Sequence, residues 1–343
     1  MGRHPGGIRV GVAGLGYWGS KHVRALRSLD DVQVVIGIDP RYGSHAAPRF
    51  RADPGLKVYG DVRDALPEID AVVVATPAST HLDIAMTAIA AGRHVLVEKP
   101  MTVTAEDARK LTHAAEAAGT VLMVGHTFEY DAAVHKLREI VADSKFGRLY
   151  YLHCARLNLG IFREDVNVIF DLAPHDVSIA NFILGILPTT VTAWGSRYVH
   201  PYHEDVAHVM LHYDDIGASV HVHVSWLDPI KVRRIVAVGS REMAVYDSLQ
   251  LVDQIQIFDR STSLRSAGSG SIPEIDYLYG KVVSTHISLT EPLVAEDRHF
   301  IECITDGRRP STDGHNGIRV VRVLECAQIS LREKRAVMLS EII

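Results

Sequence analysis

Apolar residues along the first 125 positions follow two alternating rhythms. Short, mostly apolar runs occur at Ile8–Ala13, Val34–Ile38, Lys57–Tyr59, Ala71–Ala75, Val95–Val97 and Val121–Val124. Gly, Pro or an acid bounds most of them, which reads as buried parallel strands. The segments between them carry helical spacing: Ser20–Leu29, with His22, Val23, Leu26 and Leu29 on one face, then Asp61–Leu66, Leu82–Ala91 and Thr104–Gly119. Thr104 suits an N-cap and Gly119 a C-cap, while Ser79 or Thr80 is placed to cap the helix from Leu82. Strand–helix alternation of this kind predicts an α/β, doubly wound parallel sheet over residues 1–125.

The rhythm changes after a helical stretch at Asp131–Val141. Period-two alternation takes over at Leu149–Leu157, Thr190–Tyr198, Val206–Tyr213, Ala218–Trp226, Arg234–Val238, Met243–Tyr246 and Val252–Phe258. Strands in succession mean an antiparallel sheet. One helix interrupts them, and because Pro174 fits a first turn it is expected to run Pro174–Leu184. Arg260–Gly270, rich in Ser and Gly, reads as a mobile loop. Leu293–Thr305 and Gly317–Arg332 read as closing helices. Residues 126–343 are thus expected to form a second, α+β domain with a large, open, mostly antiparallel sheet. Its apolar and aromatic positions Trp194, Tyr213, Val220, Val222, Val224 and Trp226 are more than one helix covers. A dimer or tetramer is expected to bury the open face.

Composition narrows the possibilities. The 343 residues carry a formal net charge of -5 with both signs interspersed, so no nucleic-acid or membrane partner is expected. The three cysteines, Cys154, Cys303 and Cys326, lie far apart and form no C-x-x-C pair. The start has no apolar leader pattern and no run reaches a membrane-spanning length, so a cytoplasmic protein is expected.

Three places carry candidate chemistry. The first is Gly14-Leu-Gly16-Tyr17-Trp18-Gly19, lodged between a strand and a helix. Its glycines allow a tight turn, close approach of a pyrophosphate, and close helix–strand packing. Asp39 ends the second strand, where a carboxylate accepts from a ribose 2′-hydroxyl. That favours NAD over NADP, although Arg41 could soften the preference. The second is His94-Val-Leu-Val-Glu98-Lys99-Pro100. It delivers an ammonium at the carboxyl end of a strand, where it can hold a substrate oxygen. A surface lysine before Pro100 stays open on the local sequence. The third is Asp171-Leu-Ala-Pro-His175, whose spacing of four puts carboxylate and imidazole one turn apart. A carboxylate on one ring nitrogen leaves the other as a base. From spacing alone, a cap and a packing histidine are the plainer account. Arg156, Asn158, Lys231 and Arg233 offer donors for phosphate or hydroxyl groups. His221 and His223 share a strand face, but spacing places no third ligand and no metal is expected.

Together these motifs resemble the glucose–fructose oxidoreductase/myo-inositol dehydrogenase (Gfo/Idh/MocA) family. The resemblance rests on Gly14–Gly19, Ala75-Thr76-Pro77 with His81, Glu98-Lys99-Pro100, Asp171-x-x-x-His175 and the tail from Gly314 to Leu331. It implies a Rossmann domain followed by an α/β domain whose open sheet often joins subunits. It implies that Lys99, Asp171 and His175 are catalytic. Thr76, Pro77, His81 and Glu98 would join Gly14, Gly16, Tyr17, Trp18, Gly19 and Asp39 around NAD, and the Lys99–Pro100 bond would be cis. Ser178 stands where the family often has Asp, and Val168-Ile-Phe170 where it often has Gly-Gly. Those departures bear on the substrate rather than the chemistry. Arg156–Gly160, Asp171–Asp176 and Ser225–Arg233 resemble the family's UDP-N-acetylglucosamine 3-dehydrogenase-like, nucleotide-sugar branch. The implied reaction is hydride transfer between a sugar alcohol or ketone and nicotinamide. Alternatives within the family are an inositol-like polyol, a keto-deoxysugar, and a non-catalytic dinucleotide-sensing regulator. An intact Lys99, Asp171 and His175 argues against the regulator.

Overall fold

Ile8–Ala13 forms β1, the third strand of a six-stranded parallel sheet. The computed structural model describes residues 7–41, 55–250, 252–265, 274–285, 287 and 290–342. In chain order, β1 is followed by α1 (Tyr17–Arg27), β2 (Val32–Ile38), β3 (Val58–Tyr59), α2 (Val62–Ala65), β4 (Ala71–Val74), α3 (His81–Ala90), β5 (His94–Glu98), α4 (Ala105–Ala118) and β6 (Leu122–Gly125). The strand order is β3-β2-β1-β4-β5-β6, and each neighbouring pair is parallel. Ala71–Val74 is buried along its whole length, as a strand covered on both faces must be. The Thr104 hydroxyl accepts from the Asp107 amide, and Gly119 closes α4 at φ +64°. Thr80 makes no such cap, because its hydroxyl is taken by Thr76 and the Pro77 carbonyl, and the helix starts at His81.

The chain continues through α5 (Ala132–Ala142), β7 (Leu149–Leu157), α6 (Val168–Leu184), β8 (Thr190–Ser196), β9 (Val206–Tyr213), β10 (Ala218–Ser225), β11 (Val232–Gly239), β12 (Met243–Asp247), β13 (Ile255–Arg265), β14 (Glu274–Thr285), α7 (Pro292–Asp306), α8 (Gly314–Glu333) and β15 (Val337–Met338). Nine strands form the second sheet, in the order β14-β13-β12-β11-β7-β10-β9-β8-β15, with β7–β10 the parallel pair among antiparallel ones. Contacts divide the chain into Met1–Tyr130 with Thr290–Glu325, and Asp131–Leu289 with Cys326–Ile342. The change of rhythm at 125 lies near the first division. It gives no hint that α7 belongs with the first sheet, where Phe300, Ile301 and Ile304 join the core of β1 and α1.

Three expectations change. The helix expected from Pro174 begins at Val168, capped by Asn167, whose side-chain oxygen accepts from the Phe170 amide. Burial of Val168, Ile169, Phe170 and the later turns outweighs the one backbone bond that Pro174 cannot donate. Arg260–Arg265 is strand rather than loop, paired along β14, while 266–270 lie outside the described residues. The apolar positions of the second sheet are also divided differently. Tyr213, Val220, Val222, Val224 and Trp226 are buried within the unit, and α6 packs against β7, β9 and β10. Trp194 is 57 % exposed on the opposite face. With His153, Met210, His208, His221 and His223 it lines a cavity of about 330 Å³ there.

Candidate active site

The turn between β1 and α1 is built so that only glycine fits at two positions. Gly14 has φ +86°, and a Cβ on it would lie 2.6 Å from the Ala75 carbonyl oxygen. A Cβ on Gly19 would lie 1.7 Å from the Gly14 oxygen, so α1 packs directly on the turn. Gly16, by contrast, faces open space and is the N-cap of α1. The first turn of α1 holds no acid, which suits it to an anion. Tyr17 is exposed and Trp18 half-buried beside it. Asp39 is buried at the end of β2, with one oxygen accepting from the Leu15 amide at 3.0 Å and the other from the Arg41 amide at 2.8 Å. Its charge therefore stands against the glycine turn.

The ends of β4 and β5 are joined by a buried imidazole. His81 Nδ1 is 2.9 Å from the Pro100 carbonyl and Nε2 is 3.0 Å from the Thr76 carbonyl. Burial pushes its pKa down despite those acceptors. Thr76 is half-buried and Pro77 exposed at the mouth of this turn. Lys99 is half-buried, and the Lys99–Pro100 bond is cis, as the resemblance implied. Glu98 is buried. Its Oε2 accepts from the Lys99 amide at 3.0 Å, and its Oε1 is 3.2 Å from His22 Nε2. Both His81 and Glu98 were expected around the cofactor, and both have their polar atoms bonded within the protein. They shape the turn that carries Lys99. The sequence reading missed His22 and Asp297, the ring's second partner at 2.8 Å, since they stand 275 residues apart.

In the other unit, α6 carries Asp171 and His175 one turn apart. Both Asp171 oxygens have donors from outside the helix. Trp226 Nε1 donates to Oδ2 at 2.9 Å, and Arg163 Nε to Oδ1 at 3.4 Å. Arg163 did not stand out in the sequence, and Trp226 did so only as an aromatic sheet position, although a buried indole N–H needs an acceptor. Arg156, expected among the substrate donors, is buried in a two-bond pair with Asp176, at 3.0 and 3.2 Å, and thereby holds α6 against β7. Arg233 donates to the Leu157 and Val232 carbonyls and to the Asn158 side-chain oxygen. Burial first, and then Arg156, depress its pKa to about 10. Lys231 is exposed nearby in sequence.

Residues 8–126 match the family described as an oxidoreductase family with an NAD-binding Rossmann fold, and residues 134–245 match the GFO/IDH/MocA C-terminal domain. The chain belongs to the Gfo/Idh/MocA oxidoreductase family. Its first unit is an NAD-binding Rossmann domain, and the protein is an NAD-type dehydrogenase of the family that acts on CH–OH groups. It is 28% identical to the UDP-N-acetylglucosamine 3-dehydrogenase of Acidithiobacillus ferrooxidans over 317 residues, 92% of this chain and 94% of that protein. It is 26% identical to the myo-inositol 2-dehydrogenase of Thermotoga maritima over 98% of this chain and all of that one. The solved structure of the Acidithiobacillus enzyme superposes with a TM-score of 0.77 at 26% identity, covering 95% of this chain and 98% of that one. GenD2 from gentamicin A biosynthesis, solved with NAD, gives 0.79 at 27% identity, covering 97% and 96%. Among the described residues, no helix is long and apolar enough to cross a membrane.

Proposed function

We propose that this dehydrogenase oxidises a secondary alcohol of a nucleotide-linked sugar, such as C3 of UDP-N-acetylglucosamine, or reduces the matching ketone. The observation that carries the substrate class is Arg233. Among the described residues, this half-buried guanidinium is hydrogen-bonded to neutral oxygens alone. A desolvated cation without a bonded carboxylate favours an anionic ligand such as a diphosphate. Arg163, 42 % exposed, adds a second guanidinium beside Asp171. The resemblance of Arg156–Gly160 and Ser225–Arg233 to the nucleotide-sugar branch supports the same reading.

NAD, when bound, accepts or returns a hydride at nicotinamide C4. Gly14, Gly16 and Gly19 would let its pyrophosphate approach the start of α1, with Tyr17 and Trp18 beside it. Asp39 would accept from the ribose hydroxyls, and Thr76 and Pro77 would border the site, braced by His81 and Glu98. Lys99 polarises the substrate oxygen and stabilises developing alkoxide, and His175 takes the hydroxyl proton. Asp171 sets the electrostatics one turn away. A homodimer or homotetramer through the open sheet face completes the proposal. Its support is the exposed Trp194 beside a cavity lined by four histidines.

The test is a screen of UDP-sugars, free sugars and inositols with NAD, read by nicotinamide absorbance, for the protein and for Arg233→Leu. Turnover should appear with a UDP-linked sugar. Arg233→Leu should raise its KM about tenfold or more, the usual scale for a lost charge-assisted contact, with little change for NAD. Fast oxidation of an inositol, untouched by Arg233→Leu, would transfer the assignment to a polyol, the substrate class of the Thermotoga relative.

A further inference from the structure

The first unit buries an ion network beneath Lys99. His22 lies on α1 with 0 % of its surface exposed. Its Nδ1 is 2.8 Å from Asp297 Oδ1 on α7, and its Nε2 is 3.2 Å from Glu98 Oε1 at the end of β5. A neutral imidazole has one N–H, so donating to two carboxylates requires the imidazolium. Burial works against that charge, but Asp297 and Glu98 together hold the His22 pKa well above its ordinary value. Glu296, next to Asp297, is fully buried, and its acidity is suppressed chiefly by burial. It accepts from the Thr127 hydroxyl and stands at the edge of the Asp297–His22–Glu98 line. The other oxygen of Glu98 accepts from the amide of Lys99.

The geometry points to His22 as a positioning residue for Lys99, acting through Glu98. The imidazolium joins the helix that begins at the glycine turn to the strand end that delivers the ammonium. Asp297, from the far end of the sequence, fixes the ring from behind. A neutral replacement leaves two buried carboxylates facing one another, so Glu98 must rotate or take up a proton. Either change loosens its hold on the Lys99 amide. A reacting group displaced by about 1 Å costs on the order of 10²-fold in rate. The proposal rests on the reading of Lys99 as the group that polarises the substrate oxygen, and Lys99→Ala serves as the reference.

The experiment compares kcat, substrate KM and NAD affinity for the full chain, His22→Gln, Glu98→Gln and the double variant, with folding checked by circular dichroism. His22→Gln should lower kcat about tenfold or more while KM and NAD affinity move less than about threefold, since pyrophosphate and ribose contacts are unaffected. Glu98→Gln removes the uncompensated carboxylate, so the double variant should be no slower than His22→Gln alone, and partly recovered. A merely structural role would lower the melting temperature and leave kcat per folded molecule unchanged, which overturns the proposal. Additive losses in the double variant overturn it as well. If His22→Gln does not fold, Asp297→Asn keeps an oxygen for Nδ1 and should still lower kcat about threefold; unchanged kcat there is the negative result. Full turnover in Lys99→Ala would discard the positioning role together with the reading of Lys99. Inactive Lys99→Ala beside unaffected His22→Gln discards the positioning role alone.

Discussion

The indole N–H of Trp226 donates to the Asp171 carboxylate at 2.9 Å, from just beyond the end of β10 to the first turn of α6. The carboxylate is thus held from outside its own helix as well as within it. Trp226→Phe keeps an aromatic ring against Phe162 but removes that donor. Stability should fall by about 1.5 kcal/mol, the low end for a hydrogen bond to a charged group. Activity should fall several-fold with it. Urea unfolding and initial rates measure both, and an unchanged rate would mean that Asp171 needs no such anchor.

Asp39 carries both a hydrogen bond and a charge, and Asp39→Asn separates them. An asparagine oxygen still accepts from the Leu15 amide, so the glycine turn should persist. The carboxylate proposed to repel a 2′-phosphate is gone, and the exposed Arg41 remains. Preference for NAD over NADP should shrink about tenfold or more, on the scale of a one-charge change near a phosphate. Calorimetric titration of both cofactors reads this directly. Tighter NADP than NAD binding by the unaltered chain would remove Asp39 from the cofactor site.

How far the sequence carried depended on whether a feature was local. The parallel strands were legible because each is a short apolar run between turn residues, and Gly14 and Gly19 because they stand in one spaced motif, although the Ala75 carbonyl that crowds Gly14 lies outside it. The start of α6 was misplaced because Pro174 is a local signal while the burial that overrides it is tertiary. His22 and Asp297 looked ordinary because charge pairing across 275 residues leaves no spacing to read. Arg156 had the right chemistry for a substrate donor, but only the fold shows Asp176 beside it. The alternation of β10 separated its two faces correctly, yet could not say which face α6 covers.

Two buried histidines of the first unit should oppose each other in the pH dependence of stability. Burial lowers the pKa of His126 to about 4, and neither ring nitrogen has a hydrogen-bond partner among the described residues. An unfolded chain protonates this ring near 6.5, so its contribution is kept above that pH and lost as pH falls toward 4. A displacement of that size corresponds to about 3 kcal/mol. His22 has the reverse sign: its raised value gives stability that is full below 6.5 and lost as pH rises through the folded pKa. Denaturant unfolding from pH 4 to 7 should show a smaller acid-side loss for His126→Leu than for the unaltered protein. Equal slopes would show that His126 does not stay neutral in the fold.

If the open face of the second sheet joins subunits, a charge at the exposed Trp194 should part them. Trp194→Glu places a carboxylate beside the histidine-lined cavity without touching the face under α6. The unaltered chain should be a dimer or tetramer by light scattering at micromolar concentration, and Trp194→Glu should shift it toward monomer. A monomeric unaltered chain would end that proposal.

The chemistry is tested by removing the two groups proposed to act on the substrate hydroxyl. Lys99→Ala and His175→Ala should each lower turnover by about 10²-fold or more, the usual scale for a positioned acid or base. NAD affinity should change little, because the glycine turn and Asp39 are untouched by either substitution. Under the proposed reaction both groups serve one substrate oxygen, so the double variant should be much less impaired than the product of the two losses. Asp171→Asn should keep the fold, since its oxygen still accepts from Trp226, while lowering turnover through the lost charge. Its loss should be smaller than that of His175→Ala. Near-full turnover in His175→Ala, with a primary isotope effect showing that hydride transfer limits the rate, would remove the imidazole as proton acceptor and leave Lys99 to fill that role.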